Sequence, residues 1–319
     1  RVNHGSPSRA TFSTTPWALT RPRALNIIPL QQSELFPLDS IMGEENEKRS
    51  ADEKGEADVA GKIWTEGHKV RSYEADPHGN ITVLSLYNYL QEAAANHARA
   101  LGVSIHEIIS DNITWVLSRL ALRVDAYLSW GDRINVRTWP SGVRGPFALR
   151  DFLVTGEDGS SVAAAVSAWL LIDAKTRMPL RRVRSVLERL HPPAVNPPLE
   201  NPLGKLERID GCNRQEIFTV QYDDLDINRH ANSACYIRWI MGSLPPEIPE
   251  GAVLADLEVN YLTEAFLGEE IVARSGKAAG DPLSFFHLLL RKRDGQELLR
   301  ARTSWKPRKE RTARSSGMS

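Results

Sequence analysis

Asp226, Asn228 and His230 are the side chains of this sequence whose types and spacing are best suited to chemistry. Alternate residues of an extended segment point to the same side, so their carboxylate, amide and imidazole groups can converge. An apolar run at residues 234–241 follows them and predicts a helix that starts beside them. A carboxylate or an imidazole can deprotonate water, and the amides at a helix start can stabilise an oxyanion. The combination favours hydrolysis of an ester or a thioester.

An ordinary capped helix is the alternative interpretation of this segment. Asp and Asn are common turn and N-cap residues, and a histidine in such a place often bonds only the backbone. These three positions alone favour the capped helix, so the rest of the chain has to decide whether they carry chemistry.

The composition is that of a globular protein with a sizeable core and balanced charge. Of its 319 residues, a length that favours two domains, 41% are apolar and 25% are charged. The 40 basic side chains balance 40 acidic ones, so no overall field favours nucleic acid or an anionic membrane as a partner. No stretch approaches the roughly 18 apolar residues of a transmembrane helix. No metal-ligand cluster or glycine-rich phosphate loop stands out, so we expect neither a metal nor an organic cofactor.

The two cysteines, Cys212 and Cys235, provide neither a disulfide framework nor metal-ligand spacing, which fits a reducing compartment. Cys235 lies inside the apolar run that follows His230. No base stands at a recognisable spacing from it, so it is predicted to be a small core residue rather than a nucleophile.

The two ends of the chain carry no pattern of folded structure. The first acidic residue is Glu34, and the residues before it are rich in Ser, Thr, Pro and Arg, as in an organellar transit peptide. Met42 opens a charged segment without aromatic residues, and we expect it to be the natural start. Residues 1–61 are therefore predicted to be a leader or a disordered segment, and residues 309–319 a disordered tail. The predicted location is cytoplasmic, or plastid if residues 1–41 are a genuine transit peptide.

The foldable part of the chain repeats one pattern twice, at residues 62–190 and 215–308, with a proline-rich linker at residues 191–214 between them. Each half begins with a strand, continues through a turn into an apolar-faced helix, and ends in several strands. The predicted elements of the first half are a strand at 63–73, a helix at 83–101 and strands at 114–124, 132–139, 147–155 and 162–172. Those of the second half are a strand at 215–222, a helix at 233–243 and strands at 254–262, 269–275, 284–291 and 298–305.

Three landmarks recur in the same order in the two halves. Residues 130–134 correspond to residues 267–271. Each segment contains a glycine, then an acidic residue, and then an isoleucine two positions after that acidic residue. An Asp-Gly pair, at 158–159 and again at 294–295, is followed at the same distance by a tryptophan. The agreement indicates two copies of one fold.

Short motifs in both halves resemble those of the acyl-acyl carrier protein thioesterase family. In the first half, residues 90–98 read Leu-Gln-Glu-Ala-Ala-Ala-Asn-His-Ala and residues 115–119 read Trp-Val-Leu-Ser-Arg. Residues 130–132 read Trp-Gly-Asp. In the second half, residues 224–232 read Asp-Leu-Asp-Ile-Asn-Arg-His-Ala-Asn. The resemblance covers nearly all of the foldable chain.

The resemblance implies an α+β tandem (double) hot-dog fold, in which each half is an antiparallel sheet wrapped around a long helix. It also implies that Asp226, Asn228, His230 and a downstream Glu264 are the catalytic residues. Plant members carry a cysteine after that glutamate, and this chain has Ala265 there, which favours attack by water over a thiol mechanism. The departures from the plant pattern favour a bacterial-type member.

The implied mechanism divides the work among four side chains. Glu264 and His230 activate and hold the water, Asp226 orients the group, and Asn228 contributes an amide contact, although the two carboxylates could exchange roles. Backbone amides at residues 232–234 are expected to face the thioester oxygen.

The first half has a similar turn, but the chemistry is expected to have been lost there after duplication. Asp76 and Asn80 lie in that turn, and His78 is out of register with His230.

The resemblance also assigns an acyl pocket to the first half, although a plain core role is an equal alternative for each candidate residue. The candidates are Leu86, Leu90, Trp115 and Leu117. A local basic cluster is the candidate docking surface for the acidic acyl carrier protein, although such a cluster is usually only a solvated face. It comprises Arg177, Arg181, Arg182 and Arg184.

The predicted function is hydrolysis of acyl-acyl carrier protein to a free fatty acid and holo-acyl carrier protein, the step that terminates fatty acid synthesis. The alternatives are an acyl-CoA thioesterase of the same fold, a hot-dog hydratase and a non-catalytic module that binds acyl carrier protein. A homodimer is compatible with each of them. The acyl chain length does not follow from the sequence.

Overall fold

The computed structural model describes residues 55–58, 61–181, 183–200, 203–208, 211–278 and 280–308. The predicted start at Met42 and the predicted tail lie outside these residues, as does nearly all of the predicted leader. Part of that segment is folded, since Glu56 and Ala57 form a short strand, so the prediction of disorder as far as residue 61 is wrong there. None of the described helices is both long and apolar enough to cross a membrane.

The first half consists of a short strand pair, a long helix and four long strands. Its strands are β1 (Glu56–Ala57), β2 (Trp64–Lys69), β3 (Ile113–Val124), β4 (Arg133–Arg144), β5 (Phe147–Gly156) and β6 (Ser161–Asp173). Its helices are α1 (Val83–Ala100), α2 (Ile105–Ile108) and α3 (Arg184–Leu187). The predicted first strand is shorter than expected, because β2 ends at Lys69 and a 3-10 turn, Ser72–Glu74, follows it.

The second half repeats this order with a shorter central helix. Its strands are β7 (Arg214–Thr219), β8 (Ala252–Tyr261), β9 (Glu270–Lys277), β10 (Ser284–Arg291) and β11 (Glu297–Pro307). Its helices are α4 (Ser233–Gly242) and α5 (Glu247–Gly251). The short helices α2, α3 and α5 were not predicted, because one helical turn leaves no periodic signal.

The strands of the described residues form one antiparallel sheet in the order β1-β2-β4-β5-β6-β3-β8-β11-β10-β9-β7. The halves are equivalent within it, since β2-β4-β5-β6-β3 and β7-β9-β10-β11-β8 follow the same connectivity. They meet where β3 pairs with β8. This architecture confirms the expected α+β tandem hot-dog fold.

Helix α1 forms because its apolar side chains recur every three or four residues and its ends carry capping residues. Leu86 and Leu90 are fully buried, each worth about 1.5–3 kcal/mol relative to an exposed position. The N-cap residue Thr82 accepts a hydrogen bond from the Ser85 amide at its side-chain hydroxyl. Just past the other end, Gly102 adopts a φ of +68°, the left-handed conformation that ends many helices.

The turn before each central helix is the same structure in both halves. A backbone bridge closes it between Ala75 and Ile81 in the first half and between Leu225 and Ala231 in the second. The third position after the acidic residue has positive φ in both copies, +78° at Gly79 and +62° at Arg229. Asn80 therefore occupies the position in the first half that His230 occupies in the second.

The sequence landmarks of the repeat are also structurally equivalent. The indole Nε1 of Trp169 donates to Ser167 Oγ at 2.8 Å, and that of Trp305 donates to Thr303 Oγ1 at 3.0 Å. The two Asp-Gly pairs lie in the β5–β6 and β10–β11 hairpins, where Gly159 and Gly295 both have positive φ. These contacts confirm two copies of one fold.

We expect Arg229→Gly to raise the free energy of unfolding by about 0.5–1 kcal/mol. A left-handed conformation costs a residue with a Cβ about 1–2 kcal/mol, and the greater freedom of an unfolded glycine offsets about 0.5–1 kcal/mol of the gain. Denaturant unfolding measures the difference. The matched control is Gly79→Ala, which should lose stability at the equivalent position. A glycine variant no more stable than wild type would contradict the argument.

Candidate active site

Asp226 anchors the turn that carries the other polar residues. Its Oδ1 accepts the backbone amides of Asn228 at 2.8 Å and His230 at 3.3 Å. Asp76 makes the same two bonds in the first half, to the amides of His78 and Asn80, and Asn80 occupies the position equivalent to His230. Because the described contacts of the Asp226 carboxylate are within its own turn, it holds the position of the neighbouring side chains and does not touch the imidazole ring.

His230 and Glu264 form the contact that could activate water. Nδ1 of His230 lies 3.1 Å from Glu264 Oε1, and the imidazole ring is nearly perpendicular to the ring of Phe266, with centroids 5.0 Å apart. We assign the Nδ1 proton to the bond with the carboxylate, since a carboxylate can only accept. That tautomer leaves Nε2 with a lone pair that can take a proton. The two side chains are 21% and 32% exposed, so a substrate can reach them.

The backbone around Glu264 is held by two side chains that sequence reasoning missed. The hydroxyl of Tyr236, on α4, accepts the Ala265 amide at 2.7 Å and donates to the Thr263 carbonyl at 3.3 Å. Arg291 donates to the Glu264 carbonyl at 2.9 Å. Burial raises the pKa of Tyr236, which keeps its hydroxyl protonated and able to donate. The sequence signal that could have identified Tyr236 is its place on the buried face of a helix, because a buried tyrosine hydroxyl needs hydrogen-bond partners.

Arg177 is the unexpected member of the site, because it comes from the first half of the chain. Its guanidinium Nη2 donates to Oε1 of Glu264, the same oxygen that faces His230. Burial alone would raise the pKa of Glu264, but His230 and then Arg177 lower it overall, so the carboxylate is ionised at neutral pH. The described contact of Arg177 is therefore with the candidate active site, and its predicted docking role stays a prediction.

The remaining members of the predicted basic cluster do not share this position. Arg181 is exposed, and Arg184 is exposed and paired with Glu188 at 3.3 Å. Arg182 lies outside the described residues. A docking role for this segment stays a prediction.

A cavity of about 1070 Å³ opens at the site and extends into the first half. All four predicted catalytic side chains line it, together with Arg177. Trp115 and Leu117 line it as predicted. The structure corrects the assignment for Leu86 and Leu90, which do not line this cavity and lie in the core packed beneath the sheet.

The start of α4 offers fewer free amides than predicted. The Asn232 amide donates to the Asp224 carbonyl at 2.8 Å, and the Ala234 amide donates to the Asn232 side chain at 2.9 Å. The amide of Ser233 has no partner among the described residues, and Ser233 lines the cavity. Its amide and the side-chain amide of Asn228 are therefore the candidate donors to an oxyanion.

Cys235 is a core residue, as predicted. Its side chain is buried in the same apolar cluster as α1, and its Sγ faces the Asp224 carboxylate at 3.6 Å. Burial, followed by the charge of Asp224, raises the pKa of this thiol to about 11. A thiolate is disfavoured there, which argues against a cysteine nucleophile at this position.

Comparisons with known proteins agree with this architecture. Family profiles match the chain twice: the Acyl-ACP thioesterase N-terminal domain at residues 61–190 and the Acyl-ACP thioesterase C-terminal domain at residues 208–307. A chloroplastic acyl-acyl carrier protein hydrolase of Cuphea viscosissima is 33% identical across 78% of this chain. The chain spans 64% of the length of that relative.

Solved structures of similar proteins cover the same part of the chain. An acyl-ACP thioesterase from Bacteroides thetaiotaomicron is 27% identical, with a TM-score of 0.70 over 77% of this chain and 99% of its own. The 12:0-ACP thioesterase from Umbellularia californica is 26% identical, with a TM-score of 0.70 over 77% of this chain and 94% of its own.

We expect Tyr236→Phe to lower the free energy of unfolding by about 1–3 kcal/mol. The substitution keeps the ring and leaves the buried Ala265 amide and Thr263 carbonyl without their partner. The matched control is Tyr222→Phe, whose side chain is 78% exposed and which should change stability by less than about 0.5 kcal/mol. Denaturant unfolding compares the two variants, and equal stability would show that the hydroxyl does not hold this segment.

Proposed function

Because the chain belongs to the acyl-ACP thioesterase family, we propose that it hydrolyses acyl-acyl carrier protein to a free fatty acid and the thiol of the carrier protein. The observation that carries the proposal is the contact between His230 Nδ1 and Glu264 Oε1 at 3.1 Å, since both residues line the large cavity. A base facing a cavity of this size can meet a reacting carbonyl while the acyl chain is held away from water.

The proposed reaction is direct attack by water on the thioester carbonyl. Nε2 of His230 takes a proton from the water as its oxygen bonds to the carbonyl carbon. The ionised carboxylate of Glu264 fixes the imidazole ring and stabilises the positive charge that forms on it. The negative charge moves to the carbonyl oxygen, where the Ser233 amide and the Asn228 side chain are the candidate donors.

The second step expels the carrier thiol. The carbon–sulfur bond breaks as the tetrahedral intermediate collapses, and the imidazolium of His230 returns its proton to the departing sulfur. A thiol has an ordinary pKa of about 8.5, so this leaving group needs less acid assistance than an amine does. The products are one carboxylic acid and one free thiol, which accounts for all atoms of the thioester and the water.

The position of the cavity supports the assignment of the acyl chain to the first half. Trp115 and Leu117 of β3 line the cavity, and both belong to that half. The charge of the carrier protein supports a docking role for the exposed Arg181 and Arg184 near the same loop, since opposite charges steer association.

The proposed reaction is tested by thiol release from acyl-acyl carrier proteins of C8 to C18 and from the matching acyl-CoAs. We expect turnover on the carrier-bound substrates and a loss of about 10²–10⁴-fold in His230→Ala and in Glu264→Gln. Unfolding of both variants by denaturant is the control for the fold. Turnover of the CoA esters alone would replace the proposed substrate, hydration of an enoyl thioester would indicate a lyase, and binding without thiol release would indicate a non-catalytic module.

Substitutions of Asp226 test whether its carboxylate only anchors the turn or also takes part in the reaction. Asp226→Asn keeps a side-chain oxygen that can accept the amides of Asn228 and His230, whereas Asp226→Ala removes it. We expect the Asn variant to stay within about tenfold of wild type in kcat and the Ala variant to lose about 100-fold. Equal loss in the two variants would show that the negative charge of Asp226 takes part in the reaction.

A further inference from the structure

The loop that carries Arg177 is a built structure rather than a loose connection. It closes as a hairpin after β6, where the Asp173 amide donates to the Met178 carbonyl at 2.9 Å and the Arg177 amide donates to the Asp173 carbonyl at 2.9 Å. The Asp173 side chain accepts the Thr176 amide at 2.6 Å and the Asn112 side chain at 2.6 Å. The loop is therefore fixed both to itself and to the start of β3.

Arg177 is held in an unfavourable conformation within this loop. Its φ is +60°, in the left-handed region that favours glycine. Such a conformation is disfavoured for a residue with a side chain. The two side chains of the ion pair with Glu264 are 39% and 32% exposed, and pairs of that exposure contribute little to stability. The stabilisation from the ion pair therefore does not offset the cost of the left-handed conformation of Arg177.

The contact of the guanidinium points to a role in the reaction. It meets the same Glu264 oxygen that orients His230, and it arrives from the half of the chain that does not carry the catalytic turn. The other groups that face Glu264 are Tyr236, which bonds the backbone on both sides of it, and Arg291, which bonds its carbonyl. Among the described residues, Arg177 is thus the arginine or lysine that contacts the side-chain carboxylate of Glu264.

We infer that Arg177 is a positioning residue for the hydrolysis, which fixes the Glu264 carboxylate against His230 from the first half of the chain. The inference rests on the proposed function. It replaces the docking role predicted for this residue, because a docking residue would contact the carrier protein and would leave the water-activating pair unchanged.

The test compares wild type with Arg177→Gln, Arg177→Lys and Arg177→Gly on acyl-acyl carrier protein and on the corresponding acyl-pantetheine, which lacks the protein. We expect Arg177→Gln to lower kcat by about 10- to 100-fold on both substrates with KM changed by less than about threefold. Arg177→Lys should restore part of the loss. Lys175→Gln, which removes one exposed positive charge from the same loop, is the matched control and should retain the kcat of wild type.

The pH profile and the stability distinguish positioning from a merely structural role. Removing the guanidinium takes away a cation that lowers the pKa of Glu264, so the acidic limb of kcat/KM should move to higher pH in Arg177→Gln. Arg177→Gly should unfold at a free energy equal to or above that of wild type while showing the same loss of kcat. A loss of stability that accounts for the loss of activity would overturn the inference.

The outcomes also separate this inference from the proposed function. A defect confined to the carrier-bound substrate, with normal turnover of acyl-pantetheine, would show that Arg177 acts in docking of the carrier protein and would overturn the inference. If wild type hydrolyses acyl-CoA and not acyl-acyl carrier protein, the proposed substrate is wrong and the same variants on acyl-CoA decide the role of Arg177. No hydrolysis of any thioester by wild type would overturn both.

Discussion

The antiparallel pairing of β3 with β8 is the constraint on which the rest of the structure depends. It sets Arg119 opposite Asn260 and Arg123 opposite Asp256, and it merges the sheets of the two halves into one. In this register the start of β3 lies beside the segment that follows β8. The end of β6 lies there too, because Asp173 is opposite Ile113. The loop after β6 and the segment carrying Glu264 are therefore neighbours, although they are far apart in the sequence.

Given this pairing, the local structure at the start of α4 positions most of the remaining site. The turn anchored by Asp226 orients His230, and the Ala231 amide donates to the Ala265 carbonyl at 2.9 Å, which ties that turn to the segment of Glu264. Tyr236, one turn into α4, holds the same segment from the other side. Helix α4 and the turn before it thus fix the positions of both His230 and Glu264. The first half has the same turn with Asn80 in place of the histidine, so that turn does not repeat the pair of His230 and Glu264.

Most of the fold could be predicted from the sequence because its signals are local. The period of α1, the hairpin glycines and the repeated turn each act over a few residues, and the structure contains all of them. The pairing of His230 with Glu264 came from the resemblance, since no spacing rule connects them. The contact of Arg177 with Glu264, 87 residues away, could not be predicted because it depends on strand order in the sheet. Periodicity likewise showed that Leu86 and Leu90 are buried, but not that they pack in the core instead of facing the cavity.

The central claim is that His230 and Glu264 act as one unit that activates water. The most direct measurement is a double-mutant cycle on kcat for acyl-acyl carrier protein, with His230→Ala, Glu264→Gln and the two combined. Residues that act as a unit are strongly non-additive, so the account predicts that the double variant is no slower than His230→Ala. Independent losses that multiply in the double variant would contradict it, because they would show that Glu264 acts on the substrate without the histidine.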